Sequence, residues 1–483
     1  MNRQIRGLGV LLVALFLAIF VQLNFLQVVR ADSLNRHLGN TRAVVRDFSE
    51  PRGSILSADG AVLAESVPTD DAFKHQRRYP EGASFAHIVG YFSLNYGAEG
   101  VEQEYAKELA GRTPKLELKR LSDILLDKKR TADVILTINK RLQAAATFAL
   151  HGRRGAVVAL DPKTGAILAM VDSPTYDPNP LAGHDGKAVT AAWNTYLKDP
   201  SKPLLPRAYR EAYFPGSTFK VVTASIALQN GITPTSPSYP TLTQIPLPNT
   251  INQFLRNFGG ESCGGPLREG LRVSCNTTFA RIGLDLGGAK LSAGADAFGF
   301  NRRPPLDLPA VAKSSFPEEQ AFVRDKPALA KSAIGQQDVS STPLQMALVA
   351  SAIANDGVIM APHVMAQVRD SEGQVVETYD PKPWETAMPP PVAQTMRDLM
   401  INVVEHGTGT RAIIPGVQVA GKTGTAQTGR GTIHAWFVSF APANDPKIAV
   451  AVIVEDQPGT DDSTGGAIAA PIAKAVMQAA LQP

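Results

Sequence analysis

The sequence is poor in the residues that build metal and redox centres. It holds two cysteines and eight histidines in 483 residues. Neither an H-E-x-x-H pair nor a Cys/His cluster occurs, so no metal site and no cofactor are expected. Long runs of like charge are also missing. Lys and Arg number 48 against 44 Asp and Glu, well mixed, for a net charge of +4. Such a surface offers no nucleic-acid face. No small-residue cleavage site of the A-x-A kind follows the apolar N-terminus, which argues against a removed signal peptide.

What is present begins with that apolar stretch. Residues Gly7 to Val29 carry no charge. Gly7 to Val21 is apolar, and Gln22, Asn24 and Gln27 dilute the far end. The stretch is long enough to cross a bilayer, so an uncleaved anchor over 7–29 is expected, with a tail of residues 1–6 before it. Arg3 and Arg6 precede it, while Arg30, Arg36 and Arg42 follow, so the basic flanks barely decide its orientation. The remaining length can hold one large domain and a smaller one, and 40 glycines with 36 prolines predict many loops.

The organising stretch is Phe214-Pro215-Gly216-Ser217-Thr218-Phe219-Lys220. Pro-Gly predicts a turn, and Val221 to Leu228 predicts a buried helix. Ser217 then sits near a helix N-terminus, and Lys220, three residues on, shares its face. A serine hydroxyl is a weak nucleophile until a neighbouring base takes its proton. A buried lysine beside another cation can lose its own proton and serve as that base. By itself S-x-x-K is a weak signal.

Two further stretches sharpen it. Val273-Ser274-Cys275-Asn276-Thr277 and Gly421-Lys422-Thr423-Gly424-Thr425-Ala426 follow in that order. S-x-x-K, S-x-N and K-T-G together mark the penicillin-binding proteins and class A β-lactamases; here Cys275 stands where the S-D-N form of the motif has Asp. The chain resembles a class B penicillin-binding protein, a peptidoglycan D,D-transpeptidase. Arg52-Gly53-Ser54, opening a predicted hairpin through Ala64, is similar to the Arg-Gly box of the family's non-catalytic module. Gly100-Val101-Glu102-Gln103-Glu104-Tyr105 is similar to its Gly-x-Glu helix. There Glu102 and Glu104 read as packing or ion-pair residues. Ser332 to Gln337 with Thr342 to Ala347, and Val403 to Gly409, match further family boxes. His406 in the last box reads as a histidine behind the site or on the surface rather than a base.

The elements between these motifs follow from pattern. Val134 to Ile138 predicts a strand, followed by a helix through Leu142 and Ala146. Gly155 to Leu160 and Ala166 to Val171 predict a hairpin around Asp161-Pro162-Lys163-Thr164-Gly165, with Asp161 a turn former. Residues Ser173 to Ala208 and Thr233 to Asn257 read as loop. Arg207-Ala208-Tyr209 sits where relatives carry Asn-Arg-Ala, and no function is assigned to it. Ser274 to Asn276 reads as a short loop between helices. Val419 to Ala426, Trp436 to Phe440 and Ile448 to Val454 predict an antiparallel meander, and Ala467 to Leu481 a closing helix. Gly424 is expected to let an incoming peptide approach the strand.

The resemblance implies an α/β fold of the α+β type. A five-stranded antiparallel sheet is flanked by helices over residues 151–483, with a smaller N-terminal module over 30–150 on a single membrane helix. It implies that Ser217 attacks the carbonyl between the last two D-alanines of a stem peptide, with Lys220 as general base. Ser274 relays a proton under the influence of the Lys422 charge. Asn276 holds the substrate amide, and Thr423 and Thr425 its carboxylate. The N–H groups of Ser217 and Thr425 form the oxyanion hole. Stem peptides on lipid II-derived glycan are the substrates, and β-lactams the covalent inhibitors. The catalytic body would lie outside the plasma membrane and the tail in the cytoplasm. In that oxidising setting Cys263 and Cys275 are expected to pair and brace the Ser274 loop; two buried free thiols are the alternative.

The stretch from Arg30 to His151 is too short for a second catalytic domain, so a SEDS-type membrane glycosyltransferase is the expected partner. The alternatives are a D,D-carboxypeptidase, which differs in its acceptor, and a non-catalytic β-lactam sensor or scaffold. The E-x-x-L-N loop of a class A β-lactamase is not found between Asn276 and Lys422.

Overall fold

The protein is described by a computed structural model covering residues 2–25, 48–113, 116 and 131–482. It divides into two units, Met1–Pro51 with Val67–Gln76, and Arg52–Ser66 with Arg77–Pro483. The first unit contains the helix Asn2–Asn24. Within it, Arg6–Asn24 has a mean hydropathy of 2.3, long and apolar enough to cross a membrane. The expected span runs to Val29, and residues 26–29 lie outside the described residues.

The second unit is built on a five-stranded sheet. Its order is Ala420–Gln427, Ile433–Ala441, Ile448–Gln457, Gly155–Leu160 and Ile167–Ser173, with every neighbouring pair antiparallel. The alternation of a pleated strand sends successive side chains to opposite faces. Accordingly Val450, Val452 and Val454 pack on the helices Lys140–Leu150 and Ala470–Leu481. Ala449, Ala451 and Ile453 face a larger core that includes Leu344, Leu348 and Ala352. Both faces are covered, so this strand reads as a continuous apolar run rather than an alternating one. The helix Pro343–Ala354 is buried along its whole length. Thr342 starts it by accepting a hydrogen bond from the Gln345 amide at 3.1 Å, and Pro343 occupies the first turn where no donor is needed.

The Arg-Gly box and the Gly-x-Glu segment meet around one carboxylate. Glu102 is fully buried and accepts from Arg52 Nε at 2.6 Å and Arg77 Nε at 2.5 Å. Burial pushes its pKa up, but the Arg77 and Arg52 charges outweigh that and hold it below the usual value. Two cations on one buried carboxylate make it an ion-pair residue, one of the two readings given for it. The Asp161 turn also forms: its carboxylate accepts from the Lys163 amide and the Thr164 hydroxyl.

Two loop expectations need correction. Gly186–Lys198 is a 13-residue helix. Asp185 caps it, accepting from the amides of Lys187 and Ala188. The Pro- and Asp-rich surroundings hid a valid cap-and-helix signal inside a stretch that reads as loop. Residues Thr233 to Asn257 also carry short strands, with Gln244–Pro246 pairing Phe254–Arg256. Those strands are three residues long, below what alternation can reveal.

Candidate active site

Ser217 lies in the 3-10 turn Gly216–Phe219, which runs into the helix Lys220–Gln229. That turn is wedged against two neighbours. Gly216 donates to Gly335 O at 2.9 Å. A Cβ on Gly335, whose φ is +72°, would lie 2.2 Å from Gly216 O and 2.6 Å from Phe219 Cβ. A Cβ on Gly216 would lie 2.9 Å from Ala426 Cβ on the K-T-G strand. The glycines therefore set the approach of the serine turn to the strand beside it.

Ser274 sits between the helices Leu267–Arg272 and Asn276–Ala297. Its φ is +60°, a left-handed geometry that costs a non-glycine residue about 1–2 kcal/mol. Backbone bonds hold it there: Ser274 N donates to Leu271 O and Cys275 N to Gly270 O. A disulfide joins Cys275 to Cys263, with Cα atoms 5.8 Å apart, and so ties the next residue of the loop to the short strand Cys263–Gly265.

The three motifs converge on two lysines. Lys220 and Lys422 are both completely buried. Lys220 Nζ donates to Ser274 O at 2.6 Å and to Asn276 Oδ1 at 2.7 Å. Lys422 Nζ donates to Ser274 Oγ at 2.8 Å and to Thr423 O at 2.8 Å. Although Lys220 shares a helical turn with Ser217, its shortest contacts are thus with the S-x-N loop. Burial pushes the Lys220 ammonium well below its ordinary value, and the neighbouring Lys422 charge pushes it the same way. Burial also brings Lys422 down to about 7. An amine that has lost its proton keeps two N–H donors. At Lys220 those match Ser274 O and Asn276 Oδ1, which leaves its lone pair to accept a hydroxyl proton.

A cleft of about 660 Å³ opens over these groups. Ser217, Ser274, Asn276, Thr423 and Thr425 line it, together with Arg256, Phe258, Gln336 and Thr408. Asn276 Nδ2 donates to Arg256 O at 3.0 Å and keeps a second N–H. Gly424 lies on the strand beside the serine turn. The space at its Cα is filled from within: a Cβ there would lie 2.8 Å from Thr218 Cγ2, 2.9 Å from Trp436 Cβ and 3.1 Å from Pro215 O. The glycine seats the serine turn on the strand, which is an edge of the five-stranded sheet. Among the described residues no group of three or more His, Cys, Asp or Glu could hold a metal ion.

Comparison with known proteins bears on this arrangement. The penicillin binding protein transpeptidase domain matches residues 155–478, and the penicillin binding protein A dimerisation domain matches residues 52–135. The chain is 42% identical to the peptidoglycan D,D-transpeptidase PbpA of Mycolicibacterium smegmatis, across 100% of this chain and 99% of that one. It is 39% identical to PbpA of Mycobacterium tuberculosis over the same shares. The chain belongs to the class B penicillin-binding proteins. A solved structure of M. tuberculosis penicillin-binding protein A, as a ceftriaxone acyl-enzyme complex, superposes with a TM-score of 0.85 at 39% identity, covering 91% of this chain and all of that one. The imipenem acyl-enzyme of the same protein gives 0.84, also at 39% identity, over 91% of this chain and all of that one.

In this penicillin-binding protein, sequence reasoning passed over two features near the site. Arg207, left without a function, is fully buried, and Nε donates to Glu455 Oε1 at 2.9 Å. Its other nitrogens donate to the carbonyls of Ser201 and Lys202, and Tyr213 donates to the same Glu455 oxygen. The arginine thereby pins the Pro-rich loop to the end of a sheet strand. Its partner lies 248 positions away, so no local signal could reveal it. Thr408 reaches the cleft beside Thr423, with 2.6 Å between the hydroxyl oxygens. The Val403 to Gly409 box was the only sequence cue to it. His406, by contrast, is on the surface as expected, its side chain 68% exposed.

Proposed function

We infer that the chain is a peptidoglycan D,D-transpeptidase that works through a Ser217 acyl-enzyme and binds penicillin covalently. The observation that carries the residue roles is the meeting of the three motifs on two buried lysines, with Lys220 on Ser274 O and Asn276 Oδ1 and Lys422 on Ser274 Oγ. Ser217 attacks the carbonyl joining the two terminal D-alanines of a stem peptide, and Lys220 takes the hydroxyl proton. The developing oxyanion lies between the N–H groups of Ser217 and Thr425. Ser274, held by Lys422, passes a proton to the leaving amine, and D-alanine departs. Asn276 holds the substrate amide, while Thr423 and Thr425 hold its carboxylate. An amine from a neighbouring stem then attacks the ester, forming the cross-link and freeing Ser217. A β-lactam enters the same path and stops at the ester.

The topology reading rests on this chemistry. The tail 1–6 lies in the cytoplasm, the anchor is 7–29, the module 30–150 stands outside the plasma membrane, and residues 151–483 form the catalytic domain. Stem peptides on lipid II-derived glycan are the substrate. The chain carries no second catalytic domain between anchor and transpeptidase, and a SEDS-type glycosyltransferase supplies the glycan. Labelled penicillin incubated with the full-length protein tests the nucleophile. The adduct is expected on Ser217, and Ser217→Ala abolishes it while the melting temperature stays within a few degrees. Labelling that persists in Ser217→Ala rejects the assignment.

A further inference from the structure

Thr408 belongs to none of the three motifs, yet its hydroxyl lies in the cleft. It follows the helix Pro390–His406, in the segment Gly407-Thr408-Gly409. Its backbone is clamped on both sides. Thr408 N donates to Arg272 O at 3.3 Å, two residues before Ser274. A Cβ on Gly407 would lie 2.4 Å from the same carbonyl, and one on Gly466 would lie 2.5 Å from Thr408 O. The main chain is thus fixed between the approach to the Ser274 loop and the turn that begins the last helix. Only the side chain is left exposed, at the cleft wall.

The hydroxyl lies 2.6 Å from Thr423 Oγ1. Lys422 Nζ also approaches Thr423 Oγ1, at 3.4 Å. Each hydroxyl has one proton, and the bond between the two threonines uses one of them. If Thr423 were the donor, its lone pairs would face the cleft and repel an anion. If Thr408 is the donor, Thr423 Oγ1 accepts from Thr408 and from Lys422, and its own proton is free to point at a ligand. A carboxylate in the cleft selects the second arrangement, and the chain of donors strengthens as it forms.

We propose that Thr408 is a positioning residue that donates to Thr423 and so aims the Thr423 proton at the carboxylate of the D-alanyl terminus or of a β-lactam. The proposal rests on the reading that Thr423 holds that carboxylate. Thr408 acts through Thr423, and the carboxylate is the group that feels it.

The test measures second-order acylation rate constants of the full-length protein with penicillin G and with its methyl ester, which lacks the anion. Thr408→Val lowers the penicillin G constant about tenfold, the effect of one lost hydrogen bond, and leaves the slower ester constant unchanged. Thr408→Ser restores the penicillin G constant. An unchanged penicillin G constant in Thr408→Val overturns the proposal. So does an equal loss with both compounds, or a serine variant no better than valine. Thr423→Val, measured beside them, separates the two readings: if it slows penicillin G and the ester alike, the placement of the carboxylate at Thr423 is what fails. Melting temperatures of all variants check that the fold is kept.

Discussion

Replacing Lys422 by methionine should stabilise the protein while destroying its reactivity. Lys422 is fully buried, and burial lowers it from 10.5 to about 7. At about 1.4 kcal/mol per tenfold change in acidity, holding this ammonium in the folded state costs about 5 kcal/mol. Methionine fills similar volume without the charge. It also strips a donor from Ser274 Oγ and from Thr423 O, and each orphaned acceptor costs about 1–2 kcal/mol. The net gain is then about 1–3 kcal/mol, or a few °C in a domain of this size.

The sign with pH is fixed by which state holds the extra proton. Between about 7 and 10.5 the unfolded chain binds a proton that the folded chain does not, so wild-type stability rises with pH across that window. The advantage of Lys422→Met is fully present below pH 7, shrinks as the pH rises, and reverses before pH 10.5, where only the cost of the orphaned acceptors is left. Thermal unfolding of both proteins from pH 6 to pH 10 measures it, with penicillin acylation lost in the variant. A gap that does not depend on pH, or a variant less stable than wild type at pH 6, would refute the reasoning.

Gly335→Ala forces a methyl group against Gly216 O. It should push the Ser217 turn out of place and slow penicillin acylation about 100-fold, measured by stopped-flow or gel labelling; a rate within threefold of wild type would show that the turn tolerates the shift. Cys263→Ser with Cys275→Ser removes a link across 12 positions. It should lower stability by about 3 kcal/mol in the loop-entropy account and slow acylation as the Ser274 loop loosens. Unchanged unfolding of the double variant in denaturant would contradict that brace.

Some of this protein is legible in its residues alone. S-x-x-K, S-x-N and K-T-G are each short and local, so they single out candidate residues without any knowledge of the fold, and the structure brings those residues together. The long apolar runs Gly155 to Leu160 and Ile448 to Val454 predict buried strands, because a strand covered on both faces has no polar side to show. The apolar stretch near the N-terminus likewise reads as long and apolar enough to cross a membrane.

Other matters waited for the chain to close on itself. Composition hid the helix Gly186–Lys198, although Asp185 caps it. Gly424 is packed closely against Thr218, Trp436 and Pro215, contacts that no local pattern announces. Lys220 makes its shortest contacts 54 and 56 positions downstream, and Arg207 is neutralised 248 positions away. These are pairwise contacts between segments that the sequence keeps apart. Local pattern reports the spacing of neighbours on one element. The acidity of two buried lysines depends on which atoms the packing brings within hydrogen-bond reach and how completely it removes water, and only the tertiary structure decides that.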